Sequence, residues 1–339
     1  MGRLFTNDYS ETCRKEILDA IAGVGIDQNK GYGLDVHSDN AEKLILKRFG
    51  VGSGGRVFFV SGGTQTNMSV LSFLLKPYEA VLACDSGHIN VHETGAVEAS
   101  GHKVVTVLGR DGKVLPDLIE AAVKKHCDEH MVKIKAVYVS DSTETGSIYT
   151  KTELTAIRRV CDKLGLLLFL DGARLGVALT CAANDIEPEF LGGICDVFYV
   201  GGTKNGMLFG EAIVFRDGAL AEEFRYHVKN RGAMLAKGFV PGVMFERAFT
   251  DDLYFDIARD TNRAASYLGE KLRGKVEFAS EPVTNQIFVV LGKNKGLELI
   301  ERFGCELWED RGDTLVVRIV TSFATTKDDC DELIGFFGR

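Results

Sequence analysis

Three short segments combine residue types that can do chemistry with glycines that let a ligand come close. The first is Ser61 to Asn67, SGGTQTN, between an apolar run and a helical pattern. Backbone N–H groups in the first turn of a helix carry partial positive charge and favour a phosphate. Gly62 and Gly63 permit close approach, and Thr64 and Thr66 add hydroxyl donors. The second is Asp171, which follows the apolar run Leu166 to Leu170 and precedes Gly172, Ala173 and Arg174. Ligands of α/β sheets bind beyond the carboxyl ends of strands, so an acid there is either a helix cap or the partner of a cation. The third is Lys204 in GGTKNG, after the apolar run Val197 to Val200. A lysine in a dry pocket or near other cations loses its proton more readily and becomes a nucleophile. Taken singly, each segment also has an ordinary reading: a capped helix start, a cap, a lysine in a surface loop.

Together they are the three anchors that pyridoxal phosphate requires. A turn holds the phosphate, an acid pairs with the pyridine nitrogen, and a lysine binds the aldehyde. The segment GHINVHETG adds His88 and His92 at a spacing that could also suit zinc. The zincin pattern H-E-x-x-H is absent, because Glu93 follows the second histidine. With a pyridine cofactor, an imidazole stacked on the ring is favoured over zinc, and no metal is expected. Gly50, Gly52 and Gly55 match G-x-G-x-x-G, but they follow a helical pattern and precede a strand, the reverse of a dinucleotide site. A flexible turn explains them better.

The elements that must position these residues alternate. Strands are expected at Val57–Val60, Val81–Cys84, Lys103–Val107, Lys135–Ser140, Leu166–Leu170, Val197–Val200 and Ala212–Phe215. Helices are expected at 39–49, 64–75, 116–130 and 151–164. Consecutive apolar residues in the strands suit a mainly parallel sheet covered on both faces, hence an α/β domain over residues 1–250. A smaller α+β unit over 251–339 is expected from helices at 254–273 and 328–337 and strands at 286–290 and 314–319.

Composition limits the function classes. The chain has 339 residues, 45% of them hydrophobic, and a formal net charge of −8, so it is globular and a poor non-specific ligand for nucleic acid. Its apolar runs fall far short of the roughly 20 residues of a membrane span. The opening MGRLFTNDYSE has no apolar signal core, so a cytoplasmic protein is expected. The eight cysteines form no C-x-x-C pair and read as scattered reduced thiols.

With these segments in hand, the chain resembles the threonine aldolases, of the β-eliminating lyase group of fold-type I pyridoxal phosphate enzymes. The segments that carry the likeness are YGLD at Tyr32, SGGTQTN, DSGHINVHETG, DSTETGSIYT, FLDGARLG and GGTKNG, within a span from Asn7-Asp8 to RIVTS at Arg318. The resemblance implies an aspartate-aminotransferase-like large domain. It also implies retro-aldol cleavage of L-threonine, L-allo-threonine and related β-hydroxy-α-amino acids to glycine and an aldehyde. A related β-lyase or aminotransferase is the alternative. It further implies a homotetramer built from two tight dimers, with a small amino-acid substrate.

Carried over by position, Lys204 corresponds to the lysine that binds the cofactor aldehyde, Asp171 to the partner of the pyridine nitrogen, and His88 to the histidine stacked on the ring. Gly62, Gly63 and Thr64 correspond to the phosphate turn, and Arg231 in KNRGAML to a basic residue near the phosphate. Arg174 and Arg318 correspond to arginines that bind the substrate carboxylate or help hold the cofactor, and Asn7 and Tyr32 lie where substrate-side residues are found. The chain departs from the family's Thr-His-Asn run, carrying Thr143-Glu144-Thr145 instead. The group that takes the substrate hydroxyl proton is then His88, or a water held by His88 and Glu93 or Glu144.

Overall fold

The structure, a computed structural model, describes residues 2–338. Its strands are β1 (Arg56–Val60), β2 (Glu79–Cys84), β3 (Val104–Val107), β4 (Lys133–Ser140), β5 (Leu167–Asp171), β6 (Val197–Gly201), β7 (Glu211–Phe215), β8 (Glu277–Phe278), β9 (Gln286–Gly292), β10 (Glu306–Asp310) and β11 (Thr314–Val320). The helices before β6 are α1 (Lys15–Val24), α2 (Val36–Arg48), α3 (Gly63–Leu74), α4 (His88–Val91), α5 (Ala96–Ala99), α6 (Pro116–Lys125), α7 (Lys151–Leu164), α8 (Leu175–Thr180) and α9 (Pro188–Ile194). After β7 come α10 (Phe224–Asn230), α11 (Phe239–Thr250), α12 (Leu253–Leu272), α13 (Lys293–Phe303) and α14 (Lys327–Phe337).

The first seven strands form one sheet in the order β1-β7-β6-β5-β4-β2-β3. β2 to β6 run parallel, and β7 is antiparallel to both of its neighbours. β2 and β6 are buried along their whole length, as apolar strands covered on both faces must be. The first residue of the reversed strand, Glu211, therefore lies at the edge where the other strands end. The second sheet is antiparallel, in the order β10-β11-β9-β8.

The helix expected to reach residue 130 stops at Lys125. Side-chain bonds to backbone hold the following turn instead: His126 Nδ1 lies 2.9 Å from Val132 O, and Asp128 accepts the His130 N–H at 2.9 Å. α11 has no counterpart in the sequence reading because it is buried on most sides and shows no polar stripe. Its Gly242 presses on α2, and a Cβ there would come within 2.7 Å of the Ser38 nitrogen.

α12 joins the two sheets. Its first turns, with Leu253, Tyr254 and Ile257, enter the large core, and its last, with Leu268 and Leu272, enter the core of the small sheet. Phe5, placed by sequence in the 1–250 unit, is buried in that small core. Its N–H donates to Phe303 O at 2.8 Å and its carbonyl accepts from Val320 N–H at 3.0 Å. The N-terminal segment thus crosses to the small sheet before returning to the large one. No helix among the described residues is long and apolar enough to cross a membrane.

Candidate active site

The carboxyl edge of the large sheet opens on a cavity of about 330 Å³. Ser61, Gly62, Gly63 and Thr64, at the end of β1, form one wall. The Gln65 side chain steadies this turn by accepting from Ser61 N–H at 3.1 Å and Ser61 Oγ at 2.8 Å. No atom lies within 4 Å of where a Gly62 Cβ would sit, so the first N–H groups of α3 are approachable. Thr66 is not part of the wall. It is buried, and its hydroxyl donates to Gly62 O at 3.0 Å.

Asp171 is the last residue of β5 and is buried at the cavity floor. Oδ2 accepts from the Tyr138 hydroxyl and, at 3.1 Å, from Asn67 Nδ2. Oδ1 accepts from the Tyr199 hydroxyl and from Ala173 N–H at 3.0 Å. Burial pushes its pKa up, but the nearby His88 and these donors outweigh burial and hold it below the usual carboxylate value. The result is a buried anion fixed by neutral donors, with no basic side chain bonded to it among the described residues.

Lys204 faces it from the loop between β6 and β7. The loop is pinned by Gly202 N–H to Gly210 O at 3.0 Å and by Gly210 N–H to Thr203 Oγ at 3.0 Å. A Cβ on Gly202 would meet Gly210 O at 2.6 Å, so this crossing requires glycine. Lys204 Nζ makes no hydrogen bond or ion pair among the described residues. Its pKa is lowered, by burial and by Arg174, against the opposing pull of Asp8, Glu144 and Asp171. A neutral amine is the nucleophilic form.

Arg174 lies at the head of α8 and is clamped by Asp8, with Nε to Oδ2 at 2.7 Å and Nη2 to Oδ1 at 3.0 Å. Asn285 Nδ2 also donates to Asp8, at 2.9 Å. Burial raises the Asp8 pKa, and Arg174, Lys204 and Asn285 more than offset it. The fork leaves Arg174 Nη1 without a hydrogen bond among the described residues.

His88 and Glu144 line the cavity. His88 Nδ1 lies 2.7 Å from Glu93 Oε1, which also accepts from Asn67 Nδ2 at 2.7 Å. Burial lowers the imidazole pKa, but Glu93, Glu144 and Asp171 raise it above the ordinary histidine value. Glu93 itself does not reach the cavity. It sits behind His88 and fixes the ring, leaving Nε2 as the working nitrogen.

The other residues named from sequence lie elsewhere. Asn7 Oδ1 accepts from Tyr9 N–H at 3.0 Å and Ser10 Oγ at 2.9 Å, a local turn, while Asp8 and Tyr9 on either side face inward. Tyr32 is 43% exposed and lies in a separate recess, its ring 4.6 Å from Lys229 Nζ. Arg231 caps the end of α10, outside the cavity. Arg318 is buried in β11, with Nη1 donating to Gln286 Oε1 at 3.2 Å and Nη2 paired with Glu306. It stands 5.2 Å from the Trp308 ring, which in turn contacts His92 on the cavity wall.

Sequence reasoning missed Asp8, Asn67, Tyr138, Tyr199 and Glu211. A signal exists for three of them: a tyrosine breaks the aliphatic runs VYV and FYV, and an acid opens the apolar strand EAIVF. Among the described residues no group of His, Cys, Asp and Glu could hold a metal ion.

Comparison with known proteins adds to this geometry. Residues 6–294 match the beta-eliminating lyase family. A low specificity L-threonine aldolase of Pseudomonas aeruginosa is 32% identical over 301 residues, covering 87% of this chain and 84% of that protein. The solved structure of Leishmania major threonine aldolase is 40% identical, covers 99% of both chains and superposes with a TM-score of 0.97. An aspartate aminotransferase of Thermus thermophilus, 15% identical, covers 100% of this chain and 92% of its own, with a TM-score of 0.74, and so shares the fold.

Proposed function

The chain belongs to the beta-eliminating lyase family, and from that premise we propose that it is a pyridoxal phosphate-dependent aldolase. It would cleave L-threonine, L-allo-threonine and related β-hydroxy-α-amino acids to glycine and an aldehyde. The observation that carries this reading is the pairing, in one cavity, of a buried anion held by neutral donors with a lysine that makes no hydrogen bond or ion pair among the described residues.

The residues fit the cofactor. Gly62, Gly63 and Thr64 offer backbone N–H groups to its phosphate, Asp171 offers a carboxylate to its pyridine nitrogen, and Lys204 an amine to its aldehyde. When bound, pyridoxal phosphate supplies a carbonyl that condenses with amines and a ring that accepts the electron pair released at Cα. Asp171 keeps the proton on the ring nitrogen, because its own pKa is low. Lys204, its pKa lowered by burial and by Arg174, gives up its proton more readily and supplies the amine. Arg174 holds the substrate carboxylate through Nη1 while Asp8 keeps the guanidinium plane fixed. Fixing that carboxylate sets which bond at Cα is presented for cleavage. His88 Nε2 takes the β-hydroxyl proton, with Glu93 holding the opposite side of the ring. Glu144 offers a carboxylate on the same wall to a bridging water. Arg318, paired with Glu306, acts at second hand, through Trp308 and His92.

A cytoplasmic homotetramer built from two dimers is the setting we propose. Exposed Tyr32, Leu34 and Tyr226 form an apolar patch edged by Arg225 and Lys229, which suits contact with a second copy.

Incubation with the four threonine stereoisomers tests the reading. Acetaldehyde and glycine should appear in equal amounts from the two L isomers and not from the D isomers. Release of 2-oxobutanoate and ammonia, or turnover only with an added 2-oxo acid, would reassign the chain to a β-lyase or an aminotransferase.

A further inference from the structure

Glu211 lines the cavity, yet the chemistry above does not use it. It is the first residue of β7, the one reversed strand, and pairs with Val60 on β1 and Gly201 on β6. Val60 leads into the phosphate turn and Gly201 into the Lys204 loop, so Glu211 stands between the two. It is buried, its Oε2 accepts from Gly202 N–H at 2.9 Å, and it forms no ion pair among the described residues.

A carboxylate in this position adjoins the place where a phosphate dianion would sit. Two anions close together in a dry site cannot both stay ionised at neutral pH. The groups that face Glu211 do not relieve the conflict. Asp171 on β5 is an anion, Tyr199 on β6 and Tyr254 on α12 are neutral, and the turn from Ser61 to Thr64 carries no charge. Lys204 is the single cation among them, and the proposed reaction needs it neutral. We infer that Glu211 takes up a proton whenever a phosphate group occupies the Ser61–Thr64 turn, and that its carboxyl donates a hydrogen bond to that anion from Oε1. The proton comes from solvent and returns to it when the anion leaves, so phosphate binding and proton uptake are one equilibrium. Burial has already raised the Glu211 pKa to about 7, with Thr203, Gly202 and Lys204 holding it back, so a modest further push completes the protonation.

The inference rests on the cofactor reading only in that the turn accepts a phosphate. The test uses the full chain freed of cofactor, with pyridoxal 5′-phosphate and pyridoxal as probes, before and after Glu211→Gln. Above about pH 7, affinity of the unaltered chain for the 5′-phosphate should fall by about tenfold per pH unit more than that of the variant. With pyridoxal, which has no phosphate, the two chains should fall in parallel. A second measurement needs no variant. Calorimetry near pH 8, in buffers of different ionisation enthalpy, should show uptake of about one more proton with the 5′-phosphate than with pyridoxal. Parallel pH dependence with the 5′-phosphate, or no excess proton uptake, would overturn the role of Glu211 and leave the cofactor reading intact. Failure of pyridoxal 5′-phosphate to bind the unaltered chain would overturn both.

Discussion

Asp141 and Asp171 are both fully buried at the carboxyl ends of neighbouring strands, and Asp141 N–H donates to Asp171 O at 2.9 Å. Their chemistry is opposite. Asp171 receives four donors and keeps its charge. Among the described residues Asp141 receives only the Tyr149 N–H, at 3.3 Å, and burial pushes its pKa up to about 7. Burial is common to both, so it does not mark the functional acid. The mark is that the protein has arranged donors, two of them tyrosines from adjacent strands, to hold an ionised carboxylate where a cationic ring can meet it.

Asp171→Asn removes the charge and keeps the shape. Cleavage should fall on the order of 10⁴-fold, comparable to neutralising an acid that fixes its partner's proton elsewhere. Phosphate-dependent cofactor binding should survive, which equilibrium titration would show. A mild loss of turnover would erase the contrast between the two aspartates.

His88 is the next lever, since in its protonated form it helps hold the Asp171 pKa down. His88→Phe should cost on the order of 10²–10⁴ in rate, the usual worth of a general base. Its pKa is raised and the neutral form is the base, so activity falls as pH drops through a value above the ordinary one. Glu93→Gln removes a cause of that rise, and the acid limb of the rate profile should move to lower pH. An unmoved limb would take the proton transfer away from His88 and leave Glu144 as the base.

The sequence made much of this edge legible, for a physical reason. Strand ends in a buried parallel sheet announce themselves as apolar runs stopped by glycine, so the turn at Gly62, Asp171 and Lys204 could be read directly. Residues that act through contacts across the chain could not. Asp8 grips Arg174 across 166 positions, and Asn7 was the residue picked out beside it. Arg318 was expected at the substrate, but its pairing with Glu306 on the neighbouring strand is invisible without the register of β10 on β11. Tyr32 and Arg231 were also expected at the site, and both lie outside this cavity within one chain.

The two arginines offer a second comparison. Arg174→Lys loses the fork on Asp8 and should raise KM for L-threonine by about 10–100-fold, the worth of a charge-assisted bond. Arg318→Lys should raise it by no more than about threefold, in keeping with its indirect contact. Equal effects in steady-state kinetics would bring Arg318 into direct contact with the substrate.

The smallest effect concerns the other aspartate. Because the folded pKa of Asp141 is raised, the stability it contributes is complete below the unfolded value and is lost as pH rises through about 7. Asp141→Asn should therefore stabilise the chain by about 1–3 kcal/mol near pH 8 and by nothing near pH 3. Chemical denaturation at the two pH values measures this, with cleavage little changed.

Lys204, half-buried and with no hydrogen bond or ion pair among the described residues, is the residue proposed to bind the cofactor aldehyde. Borohydride reduction of the chain with pyridoxal phosphate, followed by digestion and peptide mass mapping, tests it most directly. The label should fall on Lys204 Nζ alone, with none after Lys204→Ala. A label on Lys229 or Lys237, or undiminished labelling of the variant, would contradict it.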